Sequence, residues 1–295
     1  MSGSPLVDHL RAVRRVLRER ELVARRRLGQ HFLLEARTLR RIVAAAGDVQ
    51  GRSVVEIGPG PGGLTSALLE AGARVLGIEL DRDWARFAAK RLQGEVEILC
   101  EDAMAQEGVV LQSHLGRLAE RDGRAPLLVS NLPYQIASPL LVDVLHSEVP
   151  PELLIVMVQK EVAARLTARP RDRERGLLTV LVQSVATTRR CFFVPAGAFT
   201  PPPRVDSTIV ELRPDAARRR RHRDHPHLRD LLRRAFQGRR KMLRRSLREV
   251  LTAEARDQLG DDFLARRPEE LDLEDWFRLA ALMSPDTEIE GRGSS

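Results

Sequence analysis

Ser53-Val54-Val55-Glu56-Ile57-Gly58-Pro59-Gly60-Pro61-Gly62-Gly63 decides the fold. Its first five residues form a short apolar run with the composition of a buried strand, and the glycine-rich segment after it must turn sharply. Leu64 to Leu69 then opens a helix, and Arg74 to Ile78 returns as a second strand. A strand, a tight turn, a helix and a second strand make a βαβ beginning, which predicts a parallel, doubly wound, Rossmann-like α/β sheet. The alternation continues outward through Val96–Leu99, Leu127–Val129 and Leu153–Val158, a long helix through Val162 and Leu166, and a last strand at Thr208 to Leu212. Composition changes sharply after Pro214. Arg218 to Arg223 reads as a charged linker, and the chain from Leu228 to about Leu282 reads as helical. The expected layout is a basic N-terminal arm or amphipathic helix (1–23), the sheet domain (24–214), a small all-helical domain (215–283) and a disordered tail (284–295). There is no internal repeat.

The chain has 295 residues, 43% apolar, which suits one large and one smaller globular domain. Its net charge of +8 and isoelectric point near 10.6 point to a polyanionic partner, most simply nucleic acid. Of 49 basic residues only Lys90, Lys160 and Lys241 are lysine. Arginine brings a planar fork that suits phosphates and base faces. No apolar run approaches the roughly 18–20 residues that span a bilayer, and no charged-then-apolar leader opens the chain, so no membrane association is expected. Cys100 and Cys191 are too few for a disulfide framework, which fits a reducing, cytoplasmic setting. His222, His225 and His227 lie in an Arg-rich stretch without clustered carboxylates, so no metal is expected. Arg11, Arg14, Arg15 and Arg18 read equally as a solvated helix face or as phosphate contacts.

The candidate site walks across successive strand ends, the edge at which open α/β sheets bind ligands. Gly58 and Gly60 let the backbone approach a ligand closely. Glu79 ends the next strand, 21 residues after Gly58, where an acid reaches ribose hydroxyls. Asp102 ends the strand after that, where it can meet an adenine amine; both acids also read as helix caps. Asn131-Leu132-Pro133-Tyr134 follows and holds the chain's single tyrosine. The Asn131 side chain and the Leu132 carbonyl offer two acceptors to the two N–H groups of an exocyclic amine. Pro133 stiffens the turn, and Tyr134 offers a stacking face worth roughly 1–3 kcal/mol per base. The plain alternative is a strand end followed by a proline turn. A dinucleotide oxidoreductase would use the glycine turn and Glu79 but has no use for the tetrapeptide. S-adenosylmethionine explains both, its adenosyl part on the turn and acids and its methyl group aimed at Asn131.

Four segments carry a resemblance: Arg27-Leu28-Gly29-Gln30-His31-Phe32-Leu33, Val55-Glu56-Ile57-Gly58-Pro59-Gly60, the tetrapeptide at 131–134, and Phe199-Thr200-Pro201-Pro202-Pro203-Arg204-Val205-Asp206-Ser207. With Phe236-Gln237-Gly238-Arg239-Arg240-Lys241-Met242-Leu243, they resemble, over roughly residues 24–283, the ribosomal RNA adenine N6,N6-dimethyltransferases, in their KsgA/RsmA branch. The resemblance implies transfer of four methyl groups from S-adenosylmethionine to two adjacent adenosines near the 3′ end of 16S rRNA, with a role in small-subunit biogenesis. It places cofactor contacts at His31, Leu33, Gly58, Gly60, Glu79, Asp102 and Asn131, and catalysis at Asn131, Leu132 and Tyr134. Phe199 is expected with them as a second aromatic face sandwiching the target base, in preference to a core residue at a strand start. Arg239, Arg240, Lys241 and Arg244 are expected on RNA, and the protein is expected to be monomeric. Two positions depart from the family pattern: His31 stands where asparagine is usual, and Arg175 where tyrosine is expected. Rival readings are a 23S rRNA adenine methyltransferase of the antibiotic-resistance type, a DNA adenine methyltransferase, and a ribosome-assembly factor that acts chiefly by binding.

Overall fold

The computed structural model describes residues 4–238 and 241–283. Ser4 starts helix α1 (Pro5–Glu19) as an N-cap whose hydroxyl accepts from the Val7 N–H, with Pro5 in the first turn where no N–H is needed. The elements that follow are β1 (Phe32–Leu33), α2 (Ala36–Ala45), β2 (Ser53–Ile57), α3 (Gly63–Glu70), β3 (Arg74–Ile78), α4 (Arg82–Arg91), β4 (Val96–Leu99), α5 (Val109–Asp122), β5 (Leu127–Asn131), α6 (Ala137–His146), β6 (Leu153–Gln159), α7 (Lys160–Leu166), α8 (Leu177–Gln183), β7 (Ala186–Val194), β8 (Phe199–Thr200) and β9 (Ser207–Pro214). Short helices complete the described chain: α9 (Ala216–Arg223), α10 (Leu228–Gln237), α11 (Leu243–Ser246), α12 (Ala253–Leu259), α13 (Asp261–Leu264) and α14 (Leu273–Ala281).

The main sheet has the order β4-β3-β2-β5-β6-β9-β7. Strands β4 to β6 are mutually parallel, and β9 and β7 extend the sheet antiparallel. The chain winds outward from β2 to β4, then returns to β5 on the other side of β2. The order therefore reverses between β2 and β5, the point where such sheets open a crevice. The pairing there is short: Val54 faces Leu127 and Val55 faces Leu128. Beyond it the Ser130 hydroxyl donates to the Ile57 carbonyl at 2.6 Å, so a side chain replaces a ladder bond where the strands part.

The chain divides into two compact units, Met1–Ala163 with Ala186–Pro214 and Ala164–Val185 with Asp215–Ser295. The first holds the sheet. Val54, Val129, Ile155 and Met157 from its strands pack with Leu6, Leu10 and Val13 of α1, Leu39 and Ile42 of α2 and Leu68 of α3. The second is helical, with Val180, Leu231, Leu232, Trp276 and Leu279 fully buried.

Several expectations need correction. Of the two readings of the N-terminal segment, the amphipathic helix holds and the arm does not: α1 buries Leu6, His9, Leu10, Val13 and Val16. Arg218 to Arg223 is helix α9 rather than a linker, nucleated by the Asp215 carboxylate accepting from the Arg218 N–H. Residues 164–185 group with the second unit, so the sheet domain is discontinuous. Strand β7 was not anticipated, because Thr187, Arg189 and Arg190 interrupt any apolar pattern on an edge strand with one neighbour. The tail at 284–295 lies outside the described residues.

Candidate active site

The turn after β2 occupies backbone that only glycine adopts cheaply. Gly58 has φ +66° and a side-chain carbon there would sit 3.0 Å from Pro133 Cγ; Gly60 has φ +55° and would meet the Phe32 ring at 2.9 Å. The turn is thus wedged between the tetrapeptide and β1. A cleft of about 220 Å³ opens beside it at the carboxyl ends of the strands. Gly58, Gly60, Glu79, Asp102, His31, Leu33, Asn131, Leu132 and Tyr134 all line it.

Glu79 is buried and holds two main-chain groups, accepting from Gly60 N–H and Asp81 N–H at 2.8 Å each. Burial pushes its carboxyl above the ordinary value despite these bonds. Each carboxylate oxygen has a second lone pair for a hydroxyl donor. Asp102 is exposed at the end of β4's loop, and its Oδ1 accepts from Met104 N–H at 2.9 Å. Asp81 binds Arg25 Nη1 at 3.0 Å and Gln30 Nε2 at 3.0 Å, and Arg25 Nη2 also reaches Asp83 at 2.6 Å. These bonds tie the basic loop before His31 to the strand end that carries Glu79.

At the other end of the cleft, Asn131 Nδ2 donates to the His31 carbonyl at 3.3 Å. That bond commits the amide's donor end to the main chain and leaves its acceptor oxygen to a ligand. Leu132 N–H is held by Met157 O at 3.2 Å, and Ile136 N–H by Pro133 O at 3.1 Å, so the tetrapeptide is fixed on both sides. The Leu132 side chain itself is buried. Tyr134 pairs its hydroxyl with Ser207 Oγ at 2.7 Å, and its ring lies 6.0 Å from the His31 ring at 27°. Burial raises the phenol above its ordinary value, so the ring stays neutral. His31 Nδ1 donates to Pro201 O at 2.8 Å, which leaves Nε2 as the other polar end of the ring.

Phe199 is corrected. It is 3% exposed, pairs with Leu33 across β1 and β8, and belongs to the core, so it offers no face to the cleft. Arg239 and Arg240 lie outside the described residues, while Lys241 and Arg244 are exposed in the second unit. Arg175 is buried there, with Nε donating to Leu271 O at 3.1 Å and Nη1 to Ala168 O at 3.3 Å.

Glu56, Gln30 and Ser207 were missed. Glu56 lines the cleft at 2% exposure and accepts from Thr65 Oγ1 at 2.7 Å. Burial, helped by the charge of Glu79, pushes it up to about 8. An acid inside an otherwise apolar strand was the available signal. Among the described residues no group of three or more His, Cys, Asp or Glu could hold a metal, and no helix is long and apolar enough to cross a membrane.

A seven-stranded sheet with this order and a cleft at its switch point, floored by a glycine turn, is the Rossmann-like fold of the methyltransferases. Two solved structures share it: a dimethyladenosine transferase from Plasmodium falciparum (TM-score 0.67, 24% identity, 83% of this chain and 94% of that one) and the 23S rRNA methyltransferase ErmE (TM-score 0.61, 23% identity, 85% and 99%). At such identities the likeness shows the fold alone. The family model described as Ribosomal RNA adenine dimethylase matches residues 22–283, and the chain belongs to that family. Relatives named Ribosomal RNA small subunit methyltransferase A include one from Paramagnetospirillum magneticum, 40% identical over 96% of this chain and 98% of its own length, and one from Pseudomonas aeruginosa, 38% identical over 87% and 93%.

Proposed function

We propose that this protein is the 16S rRNA adenine N6,N6-dimethyltransferase, placing four methyl groups on two adjacent adenosines near the 3′ end of small-subunit rRNA. The observation that carries the reading is the fixed orientation of Asn131, acceptor end free, beside Tyr134 in a cleft that also holds Glu79 and the glycine turn. The family membership and the small-subunit relatives support the choice of RNA.

The residues present fit S-adenosylmethionine: Glu79 for ribose hydroxyls, Asp102 for the adenine edge, and the close-packed turn at Gly58 and Gly60 for the backbone approach. When bound, it supplies an electrophilic methyl group. The chain's own residues do the rest. The target adenine leaves its stack and lies on Tyr134. Asn131 Oδ1 and the Leu132 carbonyl accept from its exocyclic amine, which localises the nitrogen lone pair for in-line attack. No strong general base is needed, because the aminium nitrogen formed on the substrate is acidic and yields its proton to water. Most of the acceleration is positioning. Lys241 and Arg244, with Arg239 and Arg240, bind RNA phosphates. The protein works as a cytoplasmic monomer on immature small subunits.

Asn131→Ala tests the mechanism. Methyl transfer is expected to fall by about 10²–10³-fold, the usual loss for one pre-aligned polar group, with cofactor affinity within about threefold by calorimetry. Turnover at the wild-type rate sinks the mechanism. Labelled methyl groups landing on large-subunit rRNA sink the substrate.

A further inference from the structure

Helix α1 precedes the stretch 22–283 that the family model matches, yet it is built into the first unit. Its inner face carries Leu6, Leu10 and Val13, each at most 1% exposed. One residue on that face is polar. His9 is 5% exposed, and its Nε2 lies 2.8 Å from the Pro61 carbonyl. A carbonyl only accepts, so His9 carries its proton on Nε2 and donates. Pro61 belongs to the glycine turn and lines the cleft. His9 also stands directly behind the next residue, since a side-chain carbon on Gly62 would lie 3.5 Å from its Nε2.

Helix docking alone does not call for a histidine here. Burying a polar group has a cost that only a good partner offsets, and a leucine would seat the helix more cheaply. What the histidine adds is a grip on the turn. Gly60 N–H is held from β3's end by Glu79, and Pro61 C=O is held from α1 by His9. Two neighbouring residues of the turn are thereby fixed by two groups that do not belong to it, one at the end of β3 and one on α1. Burial lowers the pKa of His9, and the Arg91 charge adds to that, so the ring is neutral when it donates.

We propose that α1 is an accessory brace for the cofactor-binding turn, with His9 as a positioning residue that fixes the Pro61 carbonyl and so raises affinity for S-adenosylmethionine without touching it. The inference rests on the reading of this cleft as the cofactor site.

The test compares His9→Gln with His9→Asn in the full chain. Both are polar and both are buried, but only glutamine places an amide N–H where imidazole Nε2 lies. Titration calorimetry with S-adenosylmethionine is expected to give His9→Gln within about twofold of wild type and His9→Asn about five- to tenfold weaker, as for a lost hydrogen bond to a buried carbonyl. The KM for RNA stays at the wild-type value in both, and amide exchange at Gly60, Gly62 and Gly63 quickens in His9→Asn alone. Folded His9→Asn with wild-type affinity overturns the proposal, as does equal weakening in both variants. In the unmutated protein, ¹⁵N spectra should show His9 as the Nε2–H tautomer, its proton exchanging more slowly once cofactor is bound. Unchanged exchange overturns the brace even where a variant fails to fold. Wild-type protein that binds no S-adenosylmethionine instead indicts the cofactor reading.

Discussion

Glu56 is a carboxyl that the fold keeps from ionising cheaply. It is 2% exposed, has one hydroxyl partner in Thr65, and faces the charge of Glu79. Its folded-state pKa of about 8 stands above the ordinary 4.5, so the folded chain favours the protonated acid. Stability from this group is full below the ordinary value and is lost as pH rises through about 8. Glutamine copies the neutral acid, keeps an acceptor for Thr65 and cannot titrate. Glu56→Gln should therefore match wild type near about pH 5 and melt roughly 3–5 °C higher near about pH 9. Parallel melting curves at both pH values would show that Glu56 is ionised in the fold. The same substitution bears on the site, because Glu56 and Glu79 together offer latent negative charge to a cationic ligand.

The turn between β2 and α3 is the element on which the cleft depends. Gly60→Ala places a methyl group 2.9 Å from the Phe32 ring, at a φ of +55° that disfavours any side chain. Phe32 cannot yield, because its ring sits edge-on against Trp84 with centroids 4.8 Å apart. A left-handed alanine adds about 1–2 kcal/mol of strain. We expect Gly60→Ala to weaken cofactor binding by at least about tenfold. Unchanged binding by calorimetry would mean the turn is looser than its packing indicates. This element was legible in the sequence, as were β3, β5 and β6, because each is a contiguous apolar run beside a turn signal. The acids and the tetrapeptide were legible because they end such runs. Strand β7 and helix α9 were not: one is a polar edge strand, and the other buries no residue at all. Phe199 misled because an aromatic before prolines looks the same whether it faces a base or the core. Glu56, His9 and Ser207 act through partners 9, 52 and 73 residues away, a spacing that no local pattern reveals.

At the scale of the molecule, the +8 charge suits a polyanion, but the helical unit that carries Lys241 and Arg244 is not a contiguous module. Residues 164–185 leave the sheet domain to join it. They contribute Val180 and Val182, both fully buried, and Arg175, a residue only 1% exposed. Arg175 bonds to the Leu271 carbonyl, and Arg171 N–H bonds to the Glu269 carbonyl at 2.8 Å, so the insert fixes the chain that leads into α14. This also settles what replaces the expected tyrosine at 175: a buried staple within the helical unit rather than an exposed RNA contact. Without the insert, those carbonyls lose their partners, at roughly 1–3 kcal/mol for each buried group left unsatisfied. The apolar surface that Val180 and Val182 cover would also be exposed. A unit of this size has a stability margin of only about 5–15 kcal/mol at most. A fragment of residues 215–283 should therefore show no cooperative thermal transition by circular dichroism and should bind RNA no better than an unfolded basic peptide. Joining residues 164–185 to that fragment through a flexible linker should restore both the transition and the binding. Cooperative melting of the 215–283 fragment alone would show that the helical unit needs no part of the sheet domain's sequence span.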